Sequence, residues 1–309
     1  MKKCVIIYNE KSGKVKSDSI ISDFHRIVEE YGYSLDVYIT ERVGHGTEII
    51  KELPNDIDLV IAAGGDGTLS EVIKGNIERK HKLLMSILPM GTTNDVGSMY
   101  GFSKNYEKAL ESILNGVEKN IDIVMMNDIP FIYVAAFGSF INVTFDTPKK
   151  LKETFGRFGY ILHGFSNITE KIQKHHIKYK VDRLKKEGDY SFIFITNGNH
   201  IAGVNEVYKD IKLDDNKFEV VLCSITNKAE LIMALMHIYI YGVEEMKGCE
   251  VYSTSEFEIE FDDVPEYSWG LDGEEYKPDS KTFKFTINKD INLLLPTDNI
   301  DKLFVNKEK

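Results

Sequence analysis

The chain has 309 residues, which suggests two domains or one large one, and its 49 acidic against 38 basic residues give a formal net charge of −11. This acidic excess excludes a protein that wraps a nucleic-acid backbone, because such a surface needs Lys and Arg. Hydrophobic residues make up 42% and charged residues 28%, which excludes a disordered chain. The longest apolar run, residues 231–241 with His237 inside it, is much shorter than the roughly 18 residues of a membrane span.

Targeting and cysteine patterns are equally plain. The apolar residues 4–8 follow Met1-Lys2-Lys3 but give way at once to polar ones, so no signal-peptide core of proper length is present. The three cysteines, Cys4, Cys223 and Cys249, are scattered and form no CxxC pair. This argues against a disulfide framework and against a thiolate zinc site. We therefore expect a cytosolic, soluble protein of two domains.

Strands and helices alternate in the first part of the chain. Apolar runs and alternation predict strands over residues 4–8, 35–39, 59–63 and 85–88. Apolar residues at helical spacing predict helices near residues 20–28 and 46–53, with another between the last two strands. Strands that alternate with helices form a parallel sheet covered by helices on both faces.

The pattern changes near residue 122. Short alternating segments without intervening helices predict strands over residues 176–181, 190–196, 218–223, 257–261 and 283–287. Such segments favour an antiparallel sandwich or barrel, here interrupted by helical insertions at 148–174 and 228–241. We expect an α/β domain over residues 1–124, a β-rich domain over 125–290 and a tail, 291–309, that returns to the first domain.

The first chemical signal is GGDGT at residues 64–68, after a strand and before a helix. Glycines let the backbone approach a ligand closely, and the N-terminus of the next helix suits phosphate. A carboxylate among phosphates makes sense if Asp66 holds a Mg²⁺ that bridges them. Thr68 and Glu71 have capping-box spacing, which predicts a well-defined helix start. The alternative is a tight strand-to-helix turn with a capping acid.

Two further polar loops follow predicted strands. GTTND at residues 91–95 offers hydroxyl and amide groups that bind phosphate or ribose, or that only cap a helix. NEKSG at residues 9–13 is not a Walker A loop, and Lys11 and Lys14 could be solvated loop charges. Loops of this kind at neighbouring strand ends favour a shared nucleotide cleft.

Together these three loops resemble the bacterial soluble diacylglycerol kinase and lipid kinase family, within the NAD kinase-like superfamily. The resemblance continues through DTPKKLK at 146–152, FGRFGY at 155–160, LDDNK at 213–217 and LDGE at 271–274, so it covers nearly the whole chain. GGDGT alone is shared with NAD kinases and phosphofructokinases, whereas its combination with GTTND and the late DGE is specific. The resemblance implies an α/β N-terminal domain with a parallel sheet and a β-rich antiparallel sandwich that takes the lipid.

The resemblance also implies roles for particular residues. The ATP contacts would be Asn9, Glu10, Lys11, Ser12, Gly13, Thr40, Gly64, Gly65, Asp66, Gly67, Thr68, Leu69, Ser70, Glu71 and Thr92. The DGE motif would supply the general base, Glu274, with Asp272 beside it, and Asp66 would complete the catalytic set. A structural Mg²⁺ would be held by the Asp215 side chain and by the carbonyls of Lys212 and Lys217.

This chain departs from the family pattern at two positions. Glu10 stands where the family usually has Pro, and Asn216 stands where it usually has Gly. Neither change removes a side-chain ligand that the resemblance implies. Asn also tolerates the left-handed conformation that Gly would adopt.

Other interpretations of the acidic and basic segments stay open. Asp214-Asp215-Asn216 is also a plausible hairpin turn, and Asp272-Gly273-Glu274 could be a surface turn. The basic stretch 171–186 could face anionic lipid headgroups, but we favour the solvated face of a hairpin. The aromatic stretch 155–165 could admit an acyl chain or pack in the core.

The sequence therefore predicts an ATP- and Mg²⁺-dependent kinase that transfers the γ-phosphate to the hydroxyl of diacylglycerol, giving phosphatidic acid. The lipid partner implies transient contact with a membrane surface, and a homodimer stays open. Because the transition state of phosphoryl transfer is loose, we expect the loss of Asp66 to be at least as costly as the loss of Glu274. The alternatives are an NAD kinase, a kinase of another lipid alcohol and a nucleotide-binding regulator. The usual NLGxLGF-type motif of NAD kinases is missing at residues 90–99.

Overall fold

The computed structural model describes residues 1–12, 17–92, 94–138, 172–198, 207–208, 211–243, 246–298 and 300–305. The chain divides into two compact units, one made of residues 1–123 with 288–309 and the other of residues 124–287.

The helices and strands follow each other along the chain in two stretches of different character. Up to residue 126 they are β1 Lys2–Tyr8, α1 Ser17–Glu30, β2 Tyr33–Ile39, α2 His45–Glu52, β3 Leu59–Gly64, α3 Asp66–Glu78, β4 Met85–Pro89, α4 Asp95–Met99, α5 Tyr106–Leu114 and β5 Val117–Met126. After it they are β6 Ile129–Phe131, β7 Val134–Gly138, β8 His175–Val181, β9 Leu184–Tyr190, β10 Phe192–Thr196, β11 Phe218–Cys223, α6 Lys228–Tyr241, β12 Cys249–Thr254, β13 Phe257–Phe261, β14 Trp269–Leu271, β15 Glu274–Tyr276, β16 Thr282–Leu295 and α7 Ile300–Leu303.

A parallel sheet organises the first unit. β2, β1, β3 and β4 lie side by side in that order, all parallel. β3 and β4 are buried along their whole length, which explains their continuous apolar sequences. The register pairs Tyr8 with Ile39 and Ala63, and Gly64 with Pro89. All four strands therefore end at one edge, and the loops that follow them share that edge.

The last strand of the chain extends this sheet beyond β4. Leu293 of β16 pairs with Met85 in parallel, and the Ser86 hydroxyl donates to the Leu294 carbonyl at 2.6 Å. Phe304, which follows α7, is 1% exposed. Residues from both ends of the sequence thus build the core of the first unit.

The second unit is an antiparallel sandwich. One sheet has the strand order β12-β11-β10-β7-β14-β15, and the other contains the first half of β16 followed by β13, β8 and β9. The inward side chains of both sheets form one aromatic-rich core, which includes Phe131, Phe137, Phe218, Phe257, Trp269, Phe283 and Phe285. The predicted fold class, a parallel α/β domain with a β-rich antiparallel sandwich, is confirmed.

Some element boundaries differ from the sequence prediction. The single strand predicted over 190–196 is two strands, because the chain leaves one sheet after Tyr190 and enters the other at Phe192. Ser191 lies at this corner, and its hydroxyl donates to the carbonyls of Cys223 and Ile225 at 3.0 and 2.5 Å. The predicted insertion 148–174 lies outside the described residues except for 172–174, which are not helical.

The cysteine prediction is wrong for one pair. β11 and β12 are antiparallel neighbours, and their register places Cys223 directly opposite Cys249, with Cα atoms 4.2 Å apart. The structure joins them as a disulfide, while Cys4 is buried and free. Spacing along the chain could not reveal this pair, because the strand pairing creates it.

No helix in the described part of the chain is both long enough and apolar enough to cross a membrane. The most apolar stretch noted in the sequence is α6, which has 14 residues.

A buried arginine joins the ends of two helices in the first unit. Arg79 follows α3 and is 8% exposed. Its guanidinium donates to the carbonyls of Ile50, Lys51 and Leu53 at the C-terminus of α2, at 2.6 to 3.2 Å. These are carbonyls that the helix itself leaves without donors, so a single side chain satisfies the end of α2.

We expect Arg79→Ala to lower the free energy of unfolding by about 3 kcal/mol, because buried carbonyls lose their donors. Arg79→Lys should recover only part of the loss, since an ammonium lacks the planar fork. Urea unfolding measures the change. Arg26→Ala is the control, because the exposed Arg26 makes only surface ion pairs with Asp23, Glu30 and Glu107. Equal losses for Arg26 and Arg79 would contradict the assignment.

His175 gives the second unit a dependence on pH. Its ring packs against Phe137 and Tyr267, with centroids at 5.1 and 5.3 Å, and burial lowers its pKa, while Glu266 acts in the opposite direction. The unfolded chain then binds a proton more readily than the folded one, so stability should fall as the pH drops below about 6.5. His175→Phe should flatten this part of the curve of unfolding midpoint against pH. A variant that keeps the slope would show that another group causes it.

Candidate functional site

The loops after β1, β3 and β4 meet through their backbones. The amides of Met90 and Gly91 both donate to the Gly64 carbonyl, at 2.7 and 3.1 Å. A Cβ on Gly91 would lie 2.6 Å from the Cα of Gly65, so this approach requires glycine. The structure therefore brings the GGDGT and GTTND loops into direct contact.

The loop after β1 joins the same edge of the sheet through a side-chain contact of Asn9. The Asn9 amide donates to the hydroxyl of Thr68 at 3.2 Å, and Thr68 is 5% exposed. A Cβ on Gly64 would lie 2.3 Å from the same hydroxyl oxygen. Thr68 thus packs under the end of β3 and links Asn9 to the start of α3.

Asp66 connects the GGDGT loop to α4. Its two carboxylate oxygens accept the backbone amides of Asp95 and Val96, at 3.0 and 3.1 Å. These amides belong to the first turn of α4, where no helical acceptor exists for them. A carboxylate has further lone pairs, so this role leaves capacity for a cation. The sequence predicted the acid and its loop but not these partners.

The predicted capping box is wrong. α3 begins at Asp66 with Gly65 as N-cap and no side-chain cap. The carboxylate of Glu71 instead accepts the amides of Gly44 and Gly46, at 2.8 and 2.9 Å, and so caps α2. The spacing of Thr and Glu is right for a box, but each side chain has a better partner on another element.

Asn94, which the sequence does not predict as a site residue, shapes the GTTND loop. Its backbone is left-handed, with φ of 53°. Its side chain exchanges two hydrogen bonds with the backbone of Gly91, both of 2.8 Å. The left-handed tolerance of Asn, next to a glycine-bearing loop, is the sequence signal that could have identified it.

The remaining predicted nucleotide residues differ in exposure. Glu10, Lys11 and Ser12 form a 3-10 turn, in which the Lys11 amine donates to the Glu41 carbonyl at 3.2 Å. Thr40 is 8% exposed and its amide donates to the Tyr8 carbonyl at 2.8 Å.

Within α3 and the GTTND loop the same contrast holds. Leu69 is fully buried, so only its backbone can face a ligand, whereas Gly67 and Ser70 are partly buried and Thr92 is exposed. Gly13 lies outside the described residues.

In the second unit, Asp272 is an anchor for the backbone. It is 8% exposed, and its carboxylate accepts the amides of Ile132, Tyr133 and Val134 at 2.7, 3.1 and 3.1 Å. Three charge-assisted bonds fix this side chain in one position. Asp272 therefore holds the turn that precedes Glu274.

Glu274 stands directly after that turn. Asp272 and Gly273 both have positive φ, 50° and 92°, which is the two-residue type I′ turn that an Asp-Gly pair favours. Glu274 opens β15 opposite Leu271 and is exposed. The turn thus presents this carboxylate to solvent from a rigid base.

The turn predicted to hold the structural metal contains Asn216 in the left-handed conformation. Asn216 has φ of 65°, as Asn tolerates, and the Asp215 carboxylate accepts the Lys217 amide at 3.0 Å. Burial raises the pKa of Asp215 and raises that of Glu219 to about 7, with the charge of Asp215 adding to the second shift.

These groups suit a hard cation. A half-buried carboxylate is a donor that Mg²⁺ takes, and a cation would relieve the cost of burying this charge. Glu219, missed by sequence reasoning, adds a second carboxyl group to this region. Across the described residues, no group of three His, Cys, Asp or Glu side chains lies close enough together to hold a metal ion.

Comparisons with known proteins place this chain among characterised families. The model of the diacylglycerol kinase catalytic domain matches residues 3–126. The chain is 34% identical to a diacylglycerol kinase from Staphylococcus epidermidis, over 74% of this chain and 73% of that protein. It is also 34% identical to one from Staphylococcus haemolyticus, over 85% and 82%.

Solved structures share the fold. A diacylglycerol kinase from Bacillus anthracis str. Sterne superposes with a TM-score of 0.76 at 18% identity, over 97% of this chain and 98% of that one. A candidate diacylglycerol kinase from the same strain gives 0.81 at 19%, over 97% and 99%.

Fold and sequence thus define a phosphotransferase that acts on an alcohol group. The chain belongs to the diacylglycerol kinase family, and it is a lipid kinase.

We expect Asp66→Ala to expose the first-turn amides of α4, because both lose their acceptor. Hydrogen exchange at Asp95 and Val96 should become faster by at least about tenfold, the effect of losing a hydrogen bond to a charged group. Asp58→Ala is the control, since its carboxylate also accepts a backbone amide, that of Lys3 at 2.7 Å, but not in α4. Unchanged exchange in the Asp66 variant would contradict the role of this carboxylate.

Proposed function

We propose that this chain transfers the γ-phosphate of ATP to the hydroxyl of diacylglycerol and releases phosphatidic acid. The observation that carries the proposal is that three loops meet at the carboxyl edge of a parallel sheet: the GGDGT loop, the GTTND loop and the loop after β1. The chain also belongs to the diacylglycerol kinase family. Ligands of open α/β sheets bind at this edge.

Phosphate binding follows from backbone chemistry. The N-terminus of α3 has no side-chain cap. The amides of Thr68 and Leu69 donate to the Gly65 carbonyl, so the amides of Asp66 and Gly67 are the ones that would bind an anion, with added attraction from the helix dipole. Gly65 and Gly67 leave the approach to these amides open. Thr92 and Lys11 are exposed beside the loops and would contact the nucleotide. Thr40, which is almost buried directly after β2, would contribute to nucleotide binding mainly by packing against the nucleotide.

Asp66 would have two tasks. Its carboxylate holds α4 through Asp95 and Val96, and its remaining lone pairs would bind the Mg²⁺ that accompanies ATP. When bound, that ion would offset the charge that develops on the phosphoryl oxygens. A second Mg²⁺, at Asp215 with the carbonyls of Lys212 and Lys217, would be structural.

Glu274 would accept the proton of the attacking hydroxyl. It is an exposed residue on a turn that Asp272 fixes, so its position is defined. Asp272 itself is engaged with three amides and would act by positioning Glu274, not by taking the proton. The acceptor lipid implies that the protein works in transient contact with a membrane surface.

The test is phosphate transfer from labelled ATP to diacylglycerol in mixed micelles with Mg²⁺. Glu274→Gln should lower kcat by about 10²–10⁴-fold, the usual contribution of a general base. Asp66→Ala should lose at least as much. Glu275→Gln is the matched control: this neighbour accepts the Ser268 hydroxyl at 2.7 Å, a bond that an amide oxygen preserves, so activity should stay near wild type.

Each outcome decides between functions. Labelled phosphatidic acid that disappears with Glu274→Gln and persists with Glu275→Gln supports the proposal. Label in NADP⁺, when NAD⁺ is offered in parallel, would assign the chain to NAD phosphorylation instead. If the folded protein binds ATP but forms no labelled phosphatidic acid, diacylglycerol is excluded as the acceptor, and other lipid alcohols should be tested. Chelation of Mg²⁺ should abolish transfer.

A further inference from the structure

α6 carries apolar side chains on its outer surface as well as its inner one. Leu231 is 6% exposed, whereas Met233, Met236, Ile240 and Tyr241 are 63, 40, 58 and 64% exposed. Positions 233, 236, 240 and 241 have the spacing of one helix face. A helix on the surface of a soluble domain normally places polar residues there, so an apolar outer face is a candidate interaction surface.

We propose that this face of α6 docks reversibly on the bilayer that contains the acceptor lipid. The inference rests on the proposed function, because it assigns the membrane contact of the lipid kinase to one helix. The helix would lie in the interface with Met233 and Ile240 pointing into the acyl region.

The composition of α6 suits a membrane interface. The charged residues of this helix, Lys228 and Glu230, both lie in its first turn, so the stretch from Met233 to Tyr241 contains no Lys, Arg, Asp or Glu. Tyr241 stacks near His237, with ring centroids at 5.2 Å, at the C-terminal end of that face. Amphipathic rings favour the headgroup level, where one end is apolar and the other wet. With 14 residues, the helix is too short to span a bilayer.

The size of the face favours a bilayer over a second copy of the chain. Four side chains of this exposure offer on the order of 400–500 Å², about half of the roughly 800 Å² per partner that a stable interface buries. A bilayer needs no complementary surface, and a modest apolar area gives the reversible binding that a kinase working at a membrane requires.

The main rival within the chain is the turn between β8 and β9. There Leu184 is 57% exposed between Arg183 and Lys185. A basic tip of this kind binds anionic lipid, and its binding weakens with salt. Docking through the neutral face of α6 should instead be insensitive to salt and effective on zwitterionic vesicles. The two surfaces therefore have opposite signatures.

The experiment compares the helix variant Ile240→Gln with Leu184→Gln, which is matched because each variant replaces one apolar residue, 58% exposed in the first case and 57% in the second. Both are sedimented with phosphatidylcholine vesicles, with and without phosphatidylglycerol, at two salt concentrations. We expect the helix variant to bind phosphatidylcholine vesicles about tenfold more weakly, as lost apolar burial requires, and Leu184→Gln to bind like wild type. The KM of the helix variant for long-chain diacylglycerol in vesicles should rise in parallel. The turnover of a short-chain, water-dispersed diacylglycerol by the helix variant should match wild type, which also shows that this variant is folded.

Three results would overturn the docking surface. They are unchanged vesicle binding in the helix variant, loss of binding in Leu184→Gln alone, and a wild-type dimer that the helix variant converts to a monomer with no change in vesicle binding. Absence of turnover with short-chain diacylglycerol in every protein would count against the proposed function instead. Vesicle binding would still decide the role of α6 in that case.

Discussion

The first unit of this protein depends on one carboxylate placed between two loops. Asp66 stands at the start of α3, and its oxygens accept the first amides of α4. Because Gly65 and Gly91 allow the two backbones to touch, the carboxylate is held at the distance these bonds need. The spacing of the two loops and the placement of the first turn of α4 follow from this contact.

The same device recurs at other points of the chain. Glu71 satisfies amides at the start of α2, and Asp272 satisfies three amides before β7. In each case an ionised side chain on one element supplies acceptors that another element lacks, and the bond is stronger than one between neutral groups. Acidic residues in the family motifs thus have an architectural role beside the chemical one proposed for them. An activity assay alone would not separate the two, since losing the architecture also moves the reacting groups.

Sequence reasoning predicted most of the fold because the strands of the first unit are continuous apolar runs between polar loops. It also identified the loops that meet at the sheet edge, since parallel strands end on one side. It failed where a residue takes a partner that is distant in sequence. Glu71 fits a local capping box but binds Gly44 and Gly46, and Cys223 meets Cys249 only through strand pairing. The corner at Ser191 was missed because apolar residues flank it on both sides and periodicity does not change there.

The contact between Gly64 and Thr68 has an evolutionary consequence. An added Cβ at residue 64 would lie 2.3 Å from the Thr68 hydroxyl and 2.6 Å from its Cβ, so the space holds one side chain, not two. Since Thr68 also receives the Asn9 amide, the side chain belongs at residue 68. Among diverging relatives the two positions should drift as a pair, with any residue larger than glycine at the first accompanied by glycine at the second. The residue types at these two positions of the motif are then determined by the space that their side chains share, whatever the loop binds.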